Sequence, residues 1–379
     1  MEDNTPSLPA RPQGRGAHQA VILPRNDPAH RALAGRFEET NMKLRMSLIA
    51  AAIGIVCIGP ASANPPAVSY GPQLEGFQYP YPVRKFEFAS QGKQLTMAFM
   101  DIAPTGTANG RTIVLLHGKN FCGATWEATI GVLAQAGYRV IVPDQIGFCA
   151  SSKPDGYQFS FNQLVANTQA LLASLGIERA IILGHSMGGM LAARYALSYP
   201  KSVERLVMVD PLGLEDWQAE GVPYATIDQL YQGELKTTFD SIKAYQQRFY
   251  YNGQWKPEYD RWVSMSAGMY AGPGKDIVAR NQAQTSDMIF TQPVVHEFGR
   301  ISVPTLLMIG GKDRTAPGTN RAPKEIAERL GRYDELGRRA AKAIPHATLI
   351  EFPALGHSPQ IESPDEFHKA LIRGLASQT

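Results

Sequence analysis

Apolar positions along this chain follow one rhythm up to about residue 213, lose it, and regain it near residue 303. At 112–116, 138–142, 180–183 and 203–209 they form short, nearly unbroken runs, separated by longer stretches of helix-forming residues. Short continuous runs of this kind suit strands buried on both faces of a parallel sheet. Between them the pattern predicts helices over 126–135, over 161–175 (with Ser160 as its N-cap and Gly176 placed to end it), and directly after Ser186. Two earlier runs, 84–88 and 94–102, alternate in polarity and predict a pair of antiparallel strands. Strand–helix alternation predicts an α/β fold with a mostly parallel, doubly wound sheet.

From 214 to 298 no buried-strand run occurs, and three of the four tryptophans (Trp217, Trp255, Trp262) fall there among many tyrosines. The stretch is read as a helical cap inserted between a first core part, 64–213, and a second, 299–379. Strand runs return at 303–309 and 347–352, and Ser363-Pro364-Asp365-Glu366 predicts a capping box opening the last helix. No internal repeat is evident.

The N-terminal region reads differently. Residues 1–41 are rich in Pro, Arg, Gly and Asn and carry no apolar period, so they are expected to be disordered or an over-long gene start. Met42-Lys43-Leu44-Arg45 is then a basic start, 46–58 an apolar stretch, and Ala61-Ser62-Ala63 a small-x-small cleavage pattern. Together these predict a secretory signal peptide over 42–63, with translation from Met42, cleavage after Ala63 and a periplasmic or secreted product. The apolar stretch is shorter than the roughly 20 residues a membrane helix needs, so no stable span is expected after its removal. Removing 1–63 takes away seven Lys/Arg and five Asp/Glu from a chain whose formal net charge is only +3. A nearly neutral chain without a basic face argues against a nucleic-acid partner. Of three cysteines, Cys57 lies in the apolar stretch, leaving Cys122 and Cys149 as an even pair in an oxidising compartment. No H-E-x-x-H, paired C-x-x-C or strand-following G-x-G-x-x-G occurs, so neither a metal nor a cofactor is expected.

Chemistry concentrates where the run at 180–183 meets the next helix, at Gly184-His185-Ser186-Met187-Gly188. A serine between strand and helix must occupy a sharp turn, and the residues two before and two after must be small to let the two elements close. Serine is a weak nucleophile that needs a base, and the base needs an orienting acid. Strand ends further along supply both: Asp313 follows the run at 303–309, and His357 follows 347–352. The order Ser186, Asp313, His357 is that of one nucleophile–acid–base lineage. Asp210, after 203–209, is the rival acid.

With these motifs, and with His117-Gly118, Asp144, Gly147 and Gly356, the chain from about 84 to 375 resembles the lidded α/β-hydrolases. The resemblance implies that His357 takes the Ser186 proton and returns it to the leaving group, and that Asp313 orients the imidazole. It implies an oxyanion hole made by the Met187 N–H and, from the loop after Gly118, the Lys119 N–H. Asn120 and His296 are candidate pocket residues, while His117 and His185 are expected to support loops. Because the family's sheet sets the two preceding strands side by side, Cys122 and Cys149 are expected to form a disulfide. The expected activity is that of a serine hydrolase acting on a small or medium acyl substrate, most simply a carboxylic ester, with no cofactor. Lactone, amide or C–C bond cleavage by the same triad, and a non-catalytic binding role, are the alternatives.

Overall fold

In the computed structural model the described residues are 68–377; the stretches read above as an extension, 1–41, and as a signal peptide, 42–63, lie outside them. The first two strands, β1 (Val83–Ser90) and β2 (Lys93–Ile102), form an antiparallel hairpin turned at Gln91-Gly92, both at positive φ. That is the handedness a two-residue hairpin turn requires. Next come β3 (Thr112–Leu116), α1 (Glu127–Gln135), β4 (Arg139–Pro143), α2 (Phe161–Ser174), β5 (Ala180–His185), α3 (Met187–Ser198) and β6 (Val203–Val209). Ser160 caps α2 by accepting from the Gln163 N–H at 3.0 Å, and Gly176 follows its end at φ +67°.

No strand lies between β6 and β7 (Thr305–Gly310). Instead the chain builds α4 (Ile227–Glu234), α5 (Phe239–Phe249), α6 (Asp260–Ala271) and α7 (Lys275–Thr291). Thr226 and Thr238 open α4 and α5 with capping boxes. After β7 follow α8 (Lys324–Ala327), α9 (Tyr333–Ala343), β8 (Ala347–Phe352), α10 (Pro359–Glu362) and α11 (Pro364–Ala376).

The eight strands form one sheet in the order β1-β2-β4-β3-β5-β6-β7-β8, antiparallel from β1 through β4 and parallel from there on. This is the α/β-hydrolase arrangement: a mostly parallel, doubly wound sheet. Alternate side chains of each strand feed opposite layers. Ile113, Leu115, Ile181 and Leu183 pack with Trp126, Leu133, Phe367 and Leu371 on the α1/α11 face. Val114, Leu116, Ile182 and Leu307 pack with α2, α3 and α9 on the other. Buried cap residues, including Tyr250, Trp262, Met265 and Phe290, join only this second layer.

One local expectation is corrected, and one helix falls outside the expected pattern. Ser363 does precede α11, with Pro364 at its first position, but no capping box forms: the hydroxyl donates to the Glu366 carboxylate at 3.3 Å. Helix α9 is not announced by the apolar pattern. Its buried stripe is only Tyr333, Leu336, Gly337 and Ala340, and five charged residues surround it.

Candidate active site

Ser186 stands between the last residue of β5 and the first of α3 at φ +57°, ψ −121°. A non-glycine residue in that region costs roughly 1–3 kcal/mol and persists only where its surroundings impose it. Here the surroundings do. A Cβ on Gly184 would overlap the Gly188 carbonyl, and one on Gly188 would overlap that of Leu116. The two small residues let α3 close onto the sheet and hold the serine at the corner.

At the carboxyl ends of β7 and β8 the chain delivers the two partners. His357 Nε2 lies 2.9 Å from Ser186 Oγ, and His357 Nδ1 lies 2.5 Å from Asp313 Oδ2. The other Asp313 oxygen accepts from the Thr315 N–H at 2.7 Å. Asp313 and His357 are fully buried and Ser186 is 2% exposed. The three side chains thus form one continuous hydrogen-bonded line.

Asp210, the rival acid, directly follows β6 and hydrogen-bonds elsewhere: its Oδ1 accepts from the Gly310 N–H at 2.7 Å. Burial, and then the charge of Asp313, push its pKa well above the usual carboxylate range, which favours a neutral acid. Asp313 is the carboxylate on the imidazole.

The neighbouring histidines brace the loops. His185 Nε2 donates to the His357 carbonyl at 2.7 Å, and the two rings lie 4.9 Å apart. His117 Nε2 accepts from the Gln145 N–H at 3.0 Å, which leaves Nδ1–H to donate to the Gly118 carbonyl at 2.9 Å. Burial lowers the pKa of both, keeping them neutral near pH 7. Glu362 holds the other side of the histidine loop by accepting from the Gly356 N–H at 2.6 Å.

Met187 opens α3, and the first N–H groups of a helix have no intrahelical acceptor. The backbone of Gly118 packs so tightly on the serine that a Cβ there would stand 3.0 Å from Ser186 Cβ. Lys119 and Asn120 follow at once. Both line a cavity of about 400 Å³ that reaches from Ser186 up into the cap. Its walls are mainly apolar, with Phe121, Leu212, Leu230, Met269, Ile289 and Phe290. His296 is not among the lining residues, which corrects its assignment to the pocket: its ring is 63% exposed and paired with Asp216 at 2.8 Å.

Cys122 and Cys149 are joined, with Cα atoms 5.8 Å apart, so that the loops after β3 and β4 are tied together. Asp144 lies beside them, but its carboxylate is already engaged by the Gly123 and Ala150 N–H groups and by the Tyr79 hydroxyl. This group braces loops rather than offering free ligands to a metal.

Three cap residues at the site escaped the sequence reading. Glu234 pairs with Lys119, Tyr270 donates to Glu234, and the ring of Tyr250 lies 4.7 Å from that of His357. The aromatic richness of the cap marked the region but did not single out these positions.

A family model described as the alpha/beta hydrolase fold matches residues 111–364. Among solved structures, a probable hydrolytic enzyme from Pseudomonas aeruginosa is 60% identical with a TM-score of 0.81, covering 82% of this chain and 99% of that one. A 2-hydroxy-6-oxo-6-phenylhexa-2,4-dienoate hydrolase from Burkholderia cepacia is 25% identical over 282 residues, 71% of this chain and 88% of its own. Lipase 1 of Psychrobacter immobilis is 28% identical over 285 residues, 72% of this chain and 80% of its own.

Proposed function

The chain belongs to the α/β hydrolase fold family, and from that premise we propose that it is an exported serine hydrolase cleaving a small or medium carboxylic ester. The observation that carries this reading is the single line of hydrogen bonds from Ser186 Oγ through His357 to Asp313. In the first half-reaction Ser186 Oγ attacks the ester carbonyl carbon while His357 Nε2 takes its proton. Asp313 accepts from Nδ1–H and stabilises the imidazolium. The N–H groups of Met187 and Lys119 receive the charge that develops on the carbonyl oxygen. Collapse breaks the C–O bond, the leaving alkoxide takes the proton from His357, and the acyl group stays on Ser186. In the second half His357 deprotonates a water that attacks the acyl carbon. The acid leaves and Ser186 regains its proton.

A mainly apolar cavity of about 400 Å³ supports a substrate of modest size. The leader-like stretch at 42–63 supports export, and the pair of cysteines is consistent with an oxidising compartment.

A second reading keeps the triad and cleaves a C–C bond beside a carbonyl; it is favoured by the similarity to the phenylhexadienoate hydrolase. Turnover of nitrophenyl esters of rising acyl length, compared with lactones and vinylogous diketones, separates the two. Ester hydrolysis that is lost in Ser186→Ala supports the first reading. Diketone cleavage without ester turnover replaces it with the second.

A further inference from the structure

The oxyanion loop is fastened at both ends to the core and in its middle to the cap. At one end Gly118 packs on Ser186. At the other Cys122 is bonded to Cys149, and the Gly123 N–H donates to Asp144 at 2.7 Å. Lys119 and Asn120 lie between, and every side-chain hydrogen bond recorded for them among the described residues goes to the cap. Lys119 Nζ meets Glu234 Oε1 at the end of α4 at 2.9 Å, with both side chains only 17% exposed. The second Glu234 oxygen accepts from the Tyr270 hydroxyl of α6 at 2.5 Å. Asn120 Nδ2 donates to the Tyr250 hydroxyl at 2.8 Å, and the Asn120 carbonyl accepts from Ser266 Oγ of α6 at 3.1 Å.

We propose that the cap aims the oxyanion hole: Glu234 and Tyr250 are positioning residues that, through Lys119 and Asn120, hold the Lys119 N–H in line with the Met187 N–H. This rests on the serine-hydrolase reading and adds to it that the cap contributes to the chemical step as well as to the pocket wall. Lys119 and Asn120 are the middle of a turn closed on the core side by one backbone bond, Phe121 N–H to the Gly118 carbonyl at 3.2 Å. With no core side-chain bond beside it, the peptide groups between can tilt, and a hydrogen-bond donor loses its hold on the oxyanion once it swings out of line. The pairing of Lys119 with Glu234 draws the loop toward α4. Asn120, held from both α6 and the residue after α5, fixes the next peptide plane. Neither Glu234 nor Tyr250 needs to touch the reacting atoms.

The test is steady-state turnover of the best nitrophenyl ester by Lys119→Met, Glu234→Gln, their double variant, Lys119→Arg and Tyr250→Phe. Removing a whole oxyanion donor costs about 10²–10³ in kcat, so misaiming one should cost about 10- to 100-fold, with KM little changed. Lys119→Met keeps its backbone N–H but takes a charge from the cavity wall, whereas Glu234→Gln leaves that charge in place, so a kcat loss shared by both reports aim. The double variant should be no slower than the slower single variant, and Lys119→Arg should recover part of the rate. Unchanged kcat in all of them, a loss confined to KM, or losses that multiply in the double variant would overturn the proposal. If Glu234→Gln fails to fold, Tyr250→Phe, which removes one hydroxyl and keeps the ring on His357, decides alone by the same kcat criterion. Wild-type protein with neither ester turnover nor Ser186 labelling by a fluorophosphonate would refute the serine-hydrolase reading instead, and this inference with it.

Discussion

In the sheet, Ile113, Leu115, Ile181 and Leu183 are wholly shielded from solvent, and alternate side chains of each strand fill both faces. In the cap, α4 buries no residue completely, and α5 buries only Gln246, whose amide atoms have no partner. The proposed nucleophile, base and acid all stand on the first region; the second supplies walls and the hydrogen bonds that reach the oxyanion loop. Segments with few buried apolar contacts are those that open locally at low cost. The proposed proton transfer thus falls on the fully buried sheet, while the cavity wall is shared between the well-buried α6 and α7 and the loosely packed α4 and α5.

That division can be broken most severely at Ser186. Ser186→Ala should reduce kcat by about 10⁶-fold, as loss of a triad nucleophile does elsewhere, with thermal stability little changed. Cap variants should never approach that loss.

The next largest effect separates two carboxylates of the sheet. Asp313→Asn should cost about 10⁴ in kcat, because the amide favours the wrong imidazole tautomer. Asp210→Asn should leave kcat near wild type, since an amide can replace a neutral acid that accepts from the Gly310 N–H. A comparable loss at Asp210 would move the orienting role to it.

Replacing both Cys122 and Cys149 by serine should lower stability by about 3–4 kcal/mol, from the 27-residue separation the bridge closes, as read by urea unfolding. Unchanged stability would mean that the loops after β3 and β4 are held by Asp144 without the bridge.

The smallest effect lies on the α11 face. Burial pushes the His368 pKa from 6.5 down to about 4, with its Nε2 beside Thr129 Oγ1. The unfolded chain therefore binds a proton between pH 6.5 and about 4 that the folded chain does not. Stability should fall as pH drops through that window, and His368→Gln should flatten the acid-side dependence of Tm.

What could be read in advance follows the same divide. Strands buried on both faces leave continuous apolar runs, so 112–116 and 203–209 matched β3 and β6 at both ends. Ser186, Asp313 and His357 were legible because strand ends of a doubly wound sheet converge on one edge. The cap's contributions were hidden, because Glu234, Tyr250 and Tyr270 reach the site through tertiary contacts that no local period encodes. His296 was misjudged for the same reason: its position near the end of the inserted stretch said nothing about which way its ring faces. Helix α9 was missed because its apolar stripe is one narrow row among charges.

The proton line itself is tested most directly by labelling with a fluorophosphonate and mapping the modified peptide by mass spectrometry. Stoichiometric modification of Ser186 is expected in the wild type, none in Ser186→Ala, and strongly slowed modification in His357→Ala. Modification that persists in Ser186→Ala, or proceeds at the wild-type rate without the His357 imidazole, would contradict the proton line.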